Sequence, residues 1–203
     1  MKIICIGRNY SDHAKEMKAE VPDVPVFFLK PDTALLPHKH PFFYPDFTND
    51  LHYECEIVVK ISKVGKNISP KFAPNYYNEI GLGIDFTARD LQQKAKEKGL
   101  PWEIGKAFEN SAPVSKDYIQ KTEVNISDLA FRLEKNGSVV QQGNTKDMIF
   151  TIDQIISYVS RFMTLKIGDL IFTGTPAGVG PVQIGDTLNG YIEDKEMFEI
   201  KIK

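Results

Sequence analysis

The chain has 203 residues, enough for one domain with a sizeable hydrophobic core, and its 42% hydrophobic and 26% charged content is ordinary for a soluble globular protein. The formal net charge is −2, and Lys and Arg are spread along the chain rather than clustered. This charge excludes a strongly basic surface, so we expect neither a nucleic-acid partner nor a membrane partner.

The two cysteines, Cys5 and Cys55, each lie in an apolar, strand-like run. Buried reduced thiols of this kind suit a cytosolic protein, and no feature of the sequence requires a disulfide. The opening residues MKIICIG form a run that is too short and too soon polar for a signal peptide or a membrane span. We therefore expect a cytoplasmic protein.

The first predicted elements are a short strand and a short polar helix. Residues 2–7 indicate the strand, and Ser11 or Asp12 can cap a helix that ends near residue 20, before two prolines. The helix has few apolar positions with which to dock, so tertiary contacts must stabilise it. We expect residues 11–20 to be mobile.

The segment Leu51–Ile61 has the period of two that is typical of a strand. Its odd positions are apolar, whereas Glu54 and Glu56 lie at even positions and therefore point the same way. A strand over Val26–Lys30 precedes it, followed by a proline-bearing loop over 35–50 that we expect to shape the distal part of a pocket.

Two glutamates this close repel each other unless a positive charge lies nearby. Asp85 follows in the next apolar strand, 80–86, and would supply a third carboxylate. Three carboxylates with open coordination positions suit Mg²⁺ or Mn²⁺. The alternative is that Glu54 and Glu56 lie on a solvated strand face, which is the commoner meaning of E-x-E taken alone.

A helix is predicted directly after the third carboxylate. Thr87 and Asp90 have the spacing of a capping box, and Gly99 would end the helix. Arg89 and Gln92 fall in its first turn and a half. Free backbone N–H groups and a guanidinium at that position form a site for a carboxylate or a phosphate.

Positive charges near the carboxylates are required if the substrate is an anion. Three carboxylates and one divalent cation sum to a net −1, which Arg89, Lys30 and Lys106 could compensate. Exposed lysines are common, so both lysines could equally be surface residues. Lys106 is the stronger candidate, because its apolar neighbours in IGKAF would leave a lysine in need of a partner.

The rest of the chain predicts mainly strands. IGKAF indicates a strand, Asn136-Gly137 indicates a hairpin turn, 151–162 has helical spacing, and the remainder is β-rich with glycine turns. Strands outnumber helices and do not alternate with them regularly. We therefore expect an α+β, β-rich fold of antiparallel or mixed sheets with a few peripheral helices, forming one domain over 1–203.

His13 and Glu16 are three residues apart in the first predicted helix, so they share one face. A carboxylate beside an imidazole fixes its tautomer and raises its basicity, as a general base requires. Two alternatives are a solvent-exposed pair and a pair of metal ligands, although the three carboxylates offer a better site for a hard cation.

The run Thr173–Pro181 (TGTPAGVGP) is a glycine-rich loop after an apolar strand. It lacks the GK[ST] ending of a phosphate-binding loop, so nucleotide binding is not expected. Its backbone N–H groups and the Thr175 hydroxyl could approach a ligand oxygen, and the alternative is a tight structural turn. The sequence has no G-x-S-x-G and no CxxC, which leaves covalent hydrolysis and zinc chemistry without support.

Several motifs together resemble the fumarylacetoacetate hydrolase family, and in particular its small acylpyruvase and oxaloacetate decarboxylase branch. The resemblance runs in order from about Ile6 to Asp186. The motifs are GRNYSDHAKEM, FFLKP, LHYECE, GIDFTARDLQ, KGLPW, GKAF, MIFTIDQIISYVS and GDLIFTGTPAGVGP. The resemblance implies a β-rich roll of mixed sheets, usually a homodimer, that binds Mg²⁺ or Mn²⁺ as its cofactor.

The same resemblance implies roles for the candidate residues. Glu54, Glu56 and Asp85 match the metal ligands of the family, and His13 and Glu16 match the catalytic dyad on a lid. The family's lysine in GK[AS]F matches Lys106, and its T-A-R-D-x-Q matches Arg89 and Gln92. Arg89 and Gln92, together with Lys30 and Thr175, would hold the acidic end of a small 2-oxo acid.

The activity expected from this resemblance is hydrolysis of a C–C bond in acylpyruvate-type β-diketo acids such as fumarylpyruvate. His13, oriented by Glu16, would activate water, and a pyruvate enolate held by the metal and Lys106 would leave. The alternatives are an oxaloacetate decarboxylase or tautomerase and an isomerase of the 2-hydroxyhepta-2,4-diene-1,7-dioate type. A metal-stabilised binding protein without turnover is a remote alternative.

Overall fold

The computed structural model describes residues 1–16 and 20–203, and strands predominate in them. The strands are β1 (Ile3–Gly7), β2 (Val26–Lys30), β3 (Leu51–Tyr53), β4 (Cys55–Ile61), β5 (Tyr77–Ile84), β6 (Thr87–Ala88), β7 (Ile119–Gln120), β8 (Ala130–Lys135), β9 (Ser138–Asn144), β10 (Leu170–Phe172), β11 (Gly180–Pro181), β12 (Thr187–Ile192) and β13 (Lys195–Lys201). The α-helices are α1 (Ser11–Glu16), α2 (Arg89–Lys98), α3 (Glu103–Lys106) and α4 (Ile152–Ser160). The predicted β-rich α+β fold is confirmed.

The strands form three sheets in the described part of the chain. The largest has the order β2-β1-β10-β4-β5-β7, and the other two are β11-β3-β6 and β13-β12-β8-β9. In the largest sheet β1 pairs with β10 in parallel, whereas all other neighbouring strands of this sheet pair antiparallel. This sheet is therefore mixed, and β10 joins the β1–β2 pair to the β4–β5 pair.

β4 lies inside the largest sheet, with buried apolar side chains on both of its faces. Ile57, Val58 and Val59 are all fully buried. Ile57 and Val59 belong to the main hydrophobic core, whereas Val58 packs with Cys5 and Phe172 in a smaller core. Because side chains alternate along a strand, the sheet separates two apolar layers, and both cysteines are buried free thiols.

The predicted helix over 151–162 and the predicted turn at Asn136-Gly137 are both present in the structure. Thr151 caps α4 in a capping box, since its hydroxyl accepts from the Gln154 N–H and the Gln154 side chain accepts from the Thr151 N–H. Asn136 and Gly137 both have positive φ, 53° and 79°, as the tight turn between β8 and β9 requires.

The capping box predicted at the start of α2 is wrong. α2 begins after Ala88, which makes no side-chain cap bond, and Thr87 lies in strand β6. The Thr87 hydroxyl donates to the Asp85 carbonyl at 3.3 Å, and Asp90 accepts from the Thr48 hydroxyl at 2.6 Å. The Thr87 hydroxyl also accepts from Lys106 Nζ, so partners outside the first turn of α2 bind both side chains.

The strand predicted for IGKAF is also wrong, because Glu103–Lys106 forms the short helix α3. Gly105 makes this helix possible. A Cβ atom at Gly105 would lie 2.9 Å from the Gln92 backbone nitrogen, so only glycine lets α3 pack this closely on α2.

The first predicted helix is confirmed over the part that the structure describes, and Glu20 is not helical. α1 covers Ser11–Glu16, and residues 17–19 of the predicted 11–20 lie outside the described residues. No helix in the described ranges is both long and apolar enough to cross a membrane.

Asn9 ties the end of β1 to two distant segments. Its side-chain amide donates to the carbonyls of Thr173 at 2.7 Å and Phe150 at 3.0 Å, and its Oδ1 accepts from the Phe150 N–H at 2.7 Å. Asn9→Ala would leave these buried groups unpaired, so we expect the free energy of unfolding to fall by about 3 kcal/mol. Urea denaturation measures this loss, and Asn78→Ala, at an exposed position in β5, should change it by less than about 0.5 kcal/mol.

Candidate active site

Three carboxylates meet beside the central strands of the largest sheet. Glu54 lies between β3 and β4, Glu56 lies in β4, and Asp85 directly follows β5. Because Cys55 pairs with Ile84 across β4 and β5, the three side chains come together, and their ligand oxygens lie within 4.8 Å of one another. All three residues are buried, so the solvated strand face considered from the sequence is excluded.

Three cations surround two of these carboxylates. Lys106 Nζ donates to Glu54 Oε2 at 2.9 Å and to Asp85 Oδ2 at 2.7 Å. Arg89 donates to Glu54 Oε1 at 2.6 Å, and Lys30 Nζ lies 2.6 Å from Asp85 Oδ1. The three positive charges balance the three negative charges in number.

Glu54 and Glu56 have opposite electrostatic environments. Burial raises the pKa of Glu54, but the positive charges of Lys106 and Arg89 outweigh burial and hold that pKa well below its ordinary value. Burial, followed by the charges of Asp85 and Glu54, raises the pKa of Glu56 well above its ordinary value. Among the described residues no cation lies within 4.0 Å of Glu56, which accepts one hydrogen bond from the Gly174 N–H at 2.7 Å.

The donor set fits a hard divalent cation such as Mg²⁺ or Mn²⁺. All three candidate ligands offer carboxylate oxygens, the ligand type that these ions prefer. Glu56 has no cation partner among the described residues. Asp85 Oδ1 accepts no hydrogen bond of suitable geometry from them, although Lys30 Nζ lies 2.6 Å away. A divalent cation would satisfy both groups.

His13 and Glu16 lie on the inner side of α1. His13 Nδ1 is 3.2 Å from Glu16 Oε2, and His13 is only 6% exposed, whereas Glu16 remains exposed at the surface. Both Glu16 oxygens also accept from the Gly178 N–H, at 3.2 and 3.3 Å. Glu16 therefore orients the imidazole and fastens α1 to the glycine-rich loop.

The carboxylates, His13 and the residues of α2 line one small cavity of about 40 Å³, which we call the site cavity. This volume has room for a few water molecules. The lining residues are Ile6, Gly7, Arg8, His13, Phe28, Glu54, Glu56, Asp85, Arg89, Gln92, Lys96, Trp102, Lys106 and Thr175.

Lys30 is not among the residues that line the site cavity, and it is buried below the carboxylates. Its ammonium donates to the carbonyls of Phe86 and Ser111 and to the Ser111 hydroxyl, at 2.8 to 3.2 Å, besides contacting Asp85. Because an ammonium has three donors, these contacts with protein atoms leave none for a substrate. The placement favours a role for Lys30 in positioning Asp85 rather than the predicted contact with substrate.

Thr175 and the predicted anion-binding pair of α2 do line the site cavity. The Thr175 hydroxyl donates to the Cys55 carbonyl and accepts from the Gln141 amide, both at 2.9 Å. Arg89 donates to Gln92 Oε1 at 2.7 Å as well as to Glu54. These contacts hold the side chains in place at the cavity wall.

The sequence analysis did not single out six of the lining residues, namely Ile6, Gly7, Arg8, Phe28, Lys96 and Trp102. For Lys96 a signal was present, because it lies seven residues after Arg89 and four after Gln92 and so shares their face of α2. Arg8 has a left-handed backbone with φ of 60°, which no sequence pattern indicated.

Comparisons with known proteins agree with this architecture. The family model described as "Fumarylacetoacetate (FAA) hydrolase C-terminal" matches residues 2–203. The Bos taurus protein named oxaloacetate tautomerase FAHD1, mitochondrial, is 43% identical over 202 residues, which are 99% of this chain and 91% of the relative. The Dictyostelium discoideum oxaloacetate decarboxylase, mitochondrial, is 41% identical over 189 residues, which are 92% of this chain and 86% of the relative.

A solved structure is similar over the whole chain. The fumarylpyruvate hydrolase from Pseudomonas aeruginosa, in complex with Mn²⁺ and pyruvate, superposes with a TM-score of 0.93 at 36% identity. The match covers 100% of this chain and 89% of that one. The similar proteins thus include a tautomerase, a decarboxylase and a hydrolase.

Proposed function

Because the chain belongs to the fumarylacetoacetate hydrolase family, we propose that it is a Mg²⁺- or Mn²⁺-dependent enzyme that converts small 2-oxo acids through their enol forms, with oxaloacetate as its substrate. The observation that carries this proposal is one cavity lined by the three buried carboxylates and by His13. A tautomerase and a decarboxylase share this chemistry, because each forms an enolate at C2 and C3 of a 2-oxo acid. Tautomerisation forms the enolate of oxaloacetate by loss of a C3 proton, and decarboxylation forms the enolate of pyruvate by loss of CO2.

Glu54, Glu56 and Asp85 would hold the cation. When bound there, a divalent cation supplies Lewis-acid polarisation of the 2-oxo and carboxylate oxygens, which makes the C3 protons more acidic. Lys106 holds Glu54 and Asp85 at their places in the wall and contributes positive charge beside a developing enolate. Burial lowers the pKa of Lys106, but the charges of Asp85 and Glu54 outweigh burial and raise it, so the ammonium stays charged.

His13 would move the proton. Its Nδ1 faces Glu16, and its Nε2 makes no hydrogen bond with the described residues. A carboxylate that accepts the Nδ1 proton leaves Nε2 as the basic nitrogen. Nε2 can therefore take a proton from C3 of the keto acid and deliver it to the enolate oxygen, which completes tautomerisation.

Hydrolysis of acylpyruvates is a second candidate function, and the His13–Glu16 pair favours it. The same Nε2 could take a proton from water, which would attack the distal carbonyl and release a pyruvate enolate. The similar fumarylpyruvate hydrolase structure holds Mn²⁺ and pyruvate, which supports this candidate. The isomerase alternative stays a prediction, as do the homodimer and the cytoplasmic location.

A chelation experiment tests the proposed function. We expect metal-stripped protein to lose at least about a hundredfold of its tautomerase or decarboxylase rate on oxaloacetate, and added Mn²⁺ or Mg²⁺ to restore it. Acylpyruvate and fumarylpyruvate are assayed in parallel. The rate with the same metal and no protein is subtracted from every measurement. Turnover that survives exhaustive chelation would contradict the proposal.

A further inference from the structure

Arg8 and Lys96 line the site cavity together with the carboxylates, but the proposed reaction gives them no role. Arg8 directly follows β1, and its φ of 60° is uncommon for a residue with a side chain. Lys96 lies in α2 on the face of Arg89 and Gln92, and its Nζ is 5.9 Å from the centre of the Trp102 ring. Both side chains are half-buried.

These two cations lack acidic partners in the described ranges. No carboxylate oxygen there lies within 4.0 Å of either one, whereas Lys30, Lys106 and Arg89 each contact Glu54 or Asp85. Burial, followed by the positive charges of Arg89 and Arg8, lowers the pKa of Lys96. The region around Lys96 therefore carries positive charge that the described residues do not neutralise.

The charge count gives the same result. The cavity lining carries four cations, Arg8, Arg89, Lys96 and Lys106, against three carboxylates, and Lys30 adds a further positive charge beneath it. Half-buried like charges repel each other, and an anion bound between Arg8 and Lys96 would relieve that repulsion. The cavity can therefore bind a second anionic group, in addition to the one that would bind to a cation held by Glu54, Glu56 and Asp85.

We infer that Arg8 and Lys96 form a subsite for the distal carboxylate of a dicarboxylic 2-oxo acid. The site would therefore prefer dianionic 2-oxo acids to acylpyruvates of the same length whose far end is neutral. The inference rests on the proposed function, which directs the 2-oxo end of the ligand to Glu54, Glu56 and Asp85. It makes Arg8 and Lys96 specificity-determining residues rather than participants in proton transfer.

Two non-reacting ligands of equal length separate this subsite from the rest of the cavity. 2-Oxoglutarate has a distal carboxylate, and 2-oxopentanoate has a methyl group in its place. Titration calorimetry on the whole protein with saturating Mn²⁺ should give about tenfold tighter binding of 2-oxoglutarate, since about 1.4 kcal/mol corresponds to a factor of ten. Lys96→Gln should reduce this ratio to about twofold or less, and Arg8→Gln should reduce it similarly.

Lys94→Gln is the matched control, because Lys94 lies two residues away on the exposed side of α2. It should keep the tenfold ratio. Equal binding of the two ligands by the unmodified protein, or a ratio unchanged in Lys96→Gln, would overturn the inference. If the protein binds 2-oxoglutarate more tightly than 2-oxopentanoate but turns over neither oxaloacetate nor acylpyruvate, the proposed function is refuted and the subsite is supported.

Discussion

Replacing His13 with alanine should lower kcat for oxaloacetate tautomerisation by about a thousandfold, within the range that a positioned general base contributes. The His13 imidazole lines the site cavity, and its Nδ1 lies 3.2 Å from Glu16 Oε2. Its side chain is buried on the short helix α1, so urea denaturation must show that the variant is folded before the rates are compared. Stopped-flow absorbance of the enol reports the loss.

The effect should differ between reactions. Hydrolysis of an acylpyruvate needs an activated water, so it should fall as much as tautomerisation in His13→Ala. Decarboxylation needs no attacking water and no proton removal from C3, so it should fall less. The ratio of the two rates in the variant therefore tells which of the proposed reactions depends on the base.

His40→Ala is a suitable control, because His40 is exposed in the loop before β3 and should be dispensable. Glu16→Gln should lower kcat by about tenfold, since it keeps the shape but weakens the orientation of the imidazole. A His13→Ala protein with the normal rates of tautomerisation and hydrolysis would remove His13 from the mechanism.

The second large effect is expected on metal binding. Glu56→Gln keeps the side-chain volume and removes a negative charge from the three carboxylates, so the Mn²⁺ dissociation constant should rise by at least about a hundredfold. The metal-free variant should be at least as stable as the unmodified protein, because Glu56 is a buried carboxylate without a cation partner among the described residues. Calorimetric titration with Mn²⁺ measures the first effect, and thermal unfolding without metal measures the second.

Glu109→Gln provides the comparison, since Glu109 is exposed and the substitution removes the same charge. Added Mn²⁺ should raise the melting temperature of this control and of the unmodified protein, because a ligand that binds only the folded state stabilises it by mass action. Glu56→Gln should show no such rise. Tight Mn²⁺ binding by Glu56→Gln would exclude Glu56 as a ligand.

The carboxylate cluster was predictable because local periodicity determines it. Alternation along β4 makes Glu54 and Glu56 neighbours on one face, and an apolar run that ends at Asp85 indicates a neighbouring strand. The sequence could not show that this face is buried. Burial follows from Lys30 and Lys106, whose positions depend on contacts that span 21 to 55 residues of chain.

The errors arose where distant contacts override local preference. Thr87 has the spacing of a capping residue, but Lys106 Nζ donates to its hydroxyl at 2.6 Å. The segment around Lys106 is apolar enough for a strand, yet the close packing of Gly105 on α2 makes it helical. Local propensity is a weak guide in such segments because tertiary packing decides them.

The position of β10 has a consequence for biosynthesis. Arg8 and His13 follow β1, the three carboxylates belong to β4 and β5 and their ends, and β10 alone connects these two groups of strands within the sheet. Residue 172 must therefore leave the ribosome before β10 can pair with β1 and β4. Only then can His13 lie beside the three carboxylates. Nascent chains can form the two strand pairs early but not the reaction centre, and such long-range pairing is slow to form. Chains cut short before β10 should accumulate as inactive, exposed hairpins that depend on chaperones.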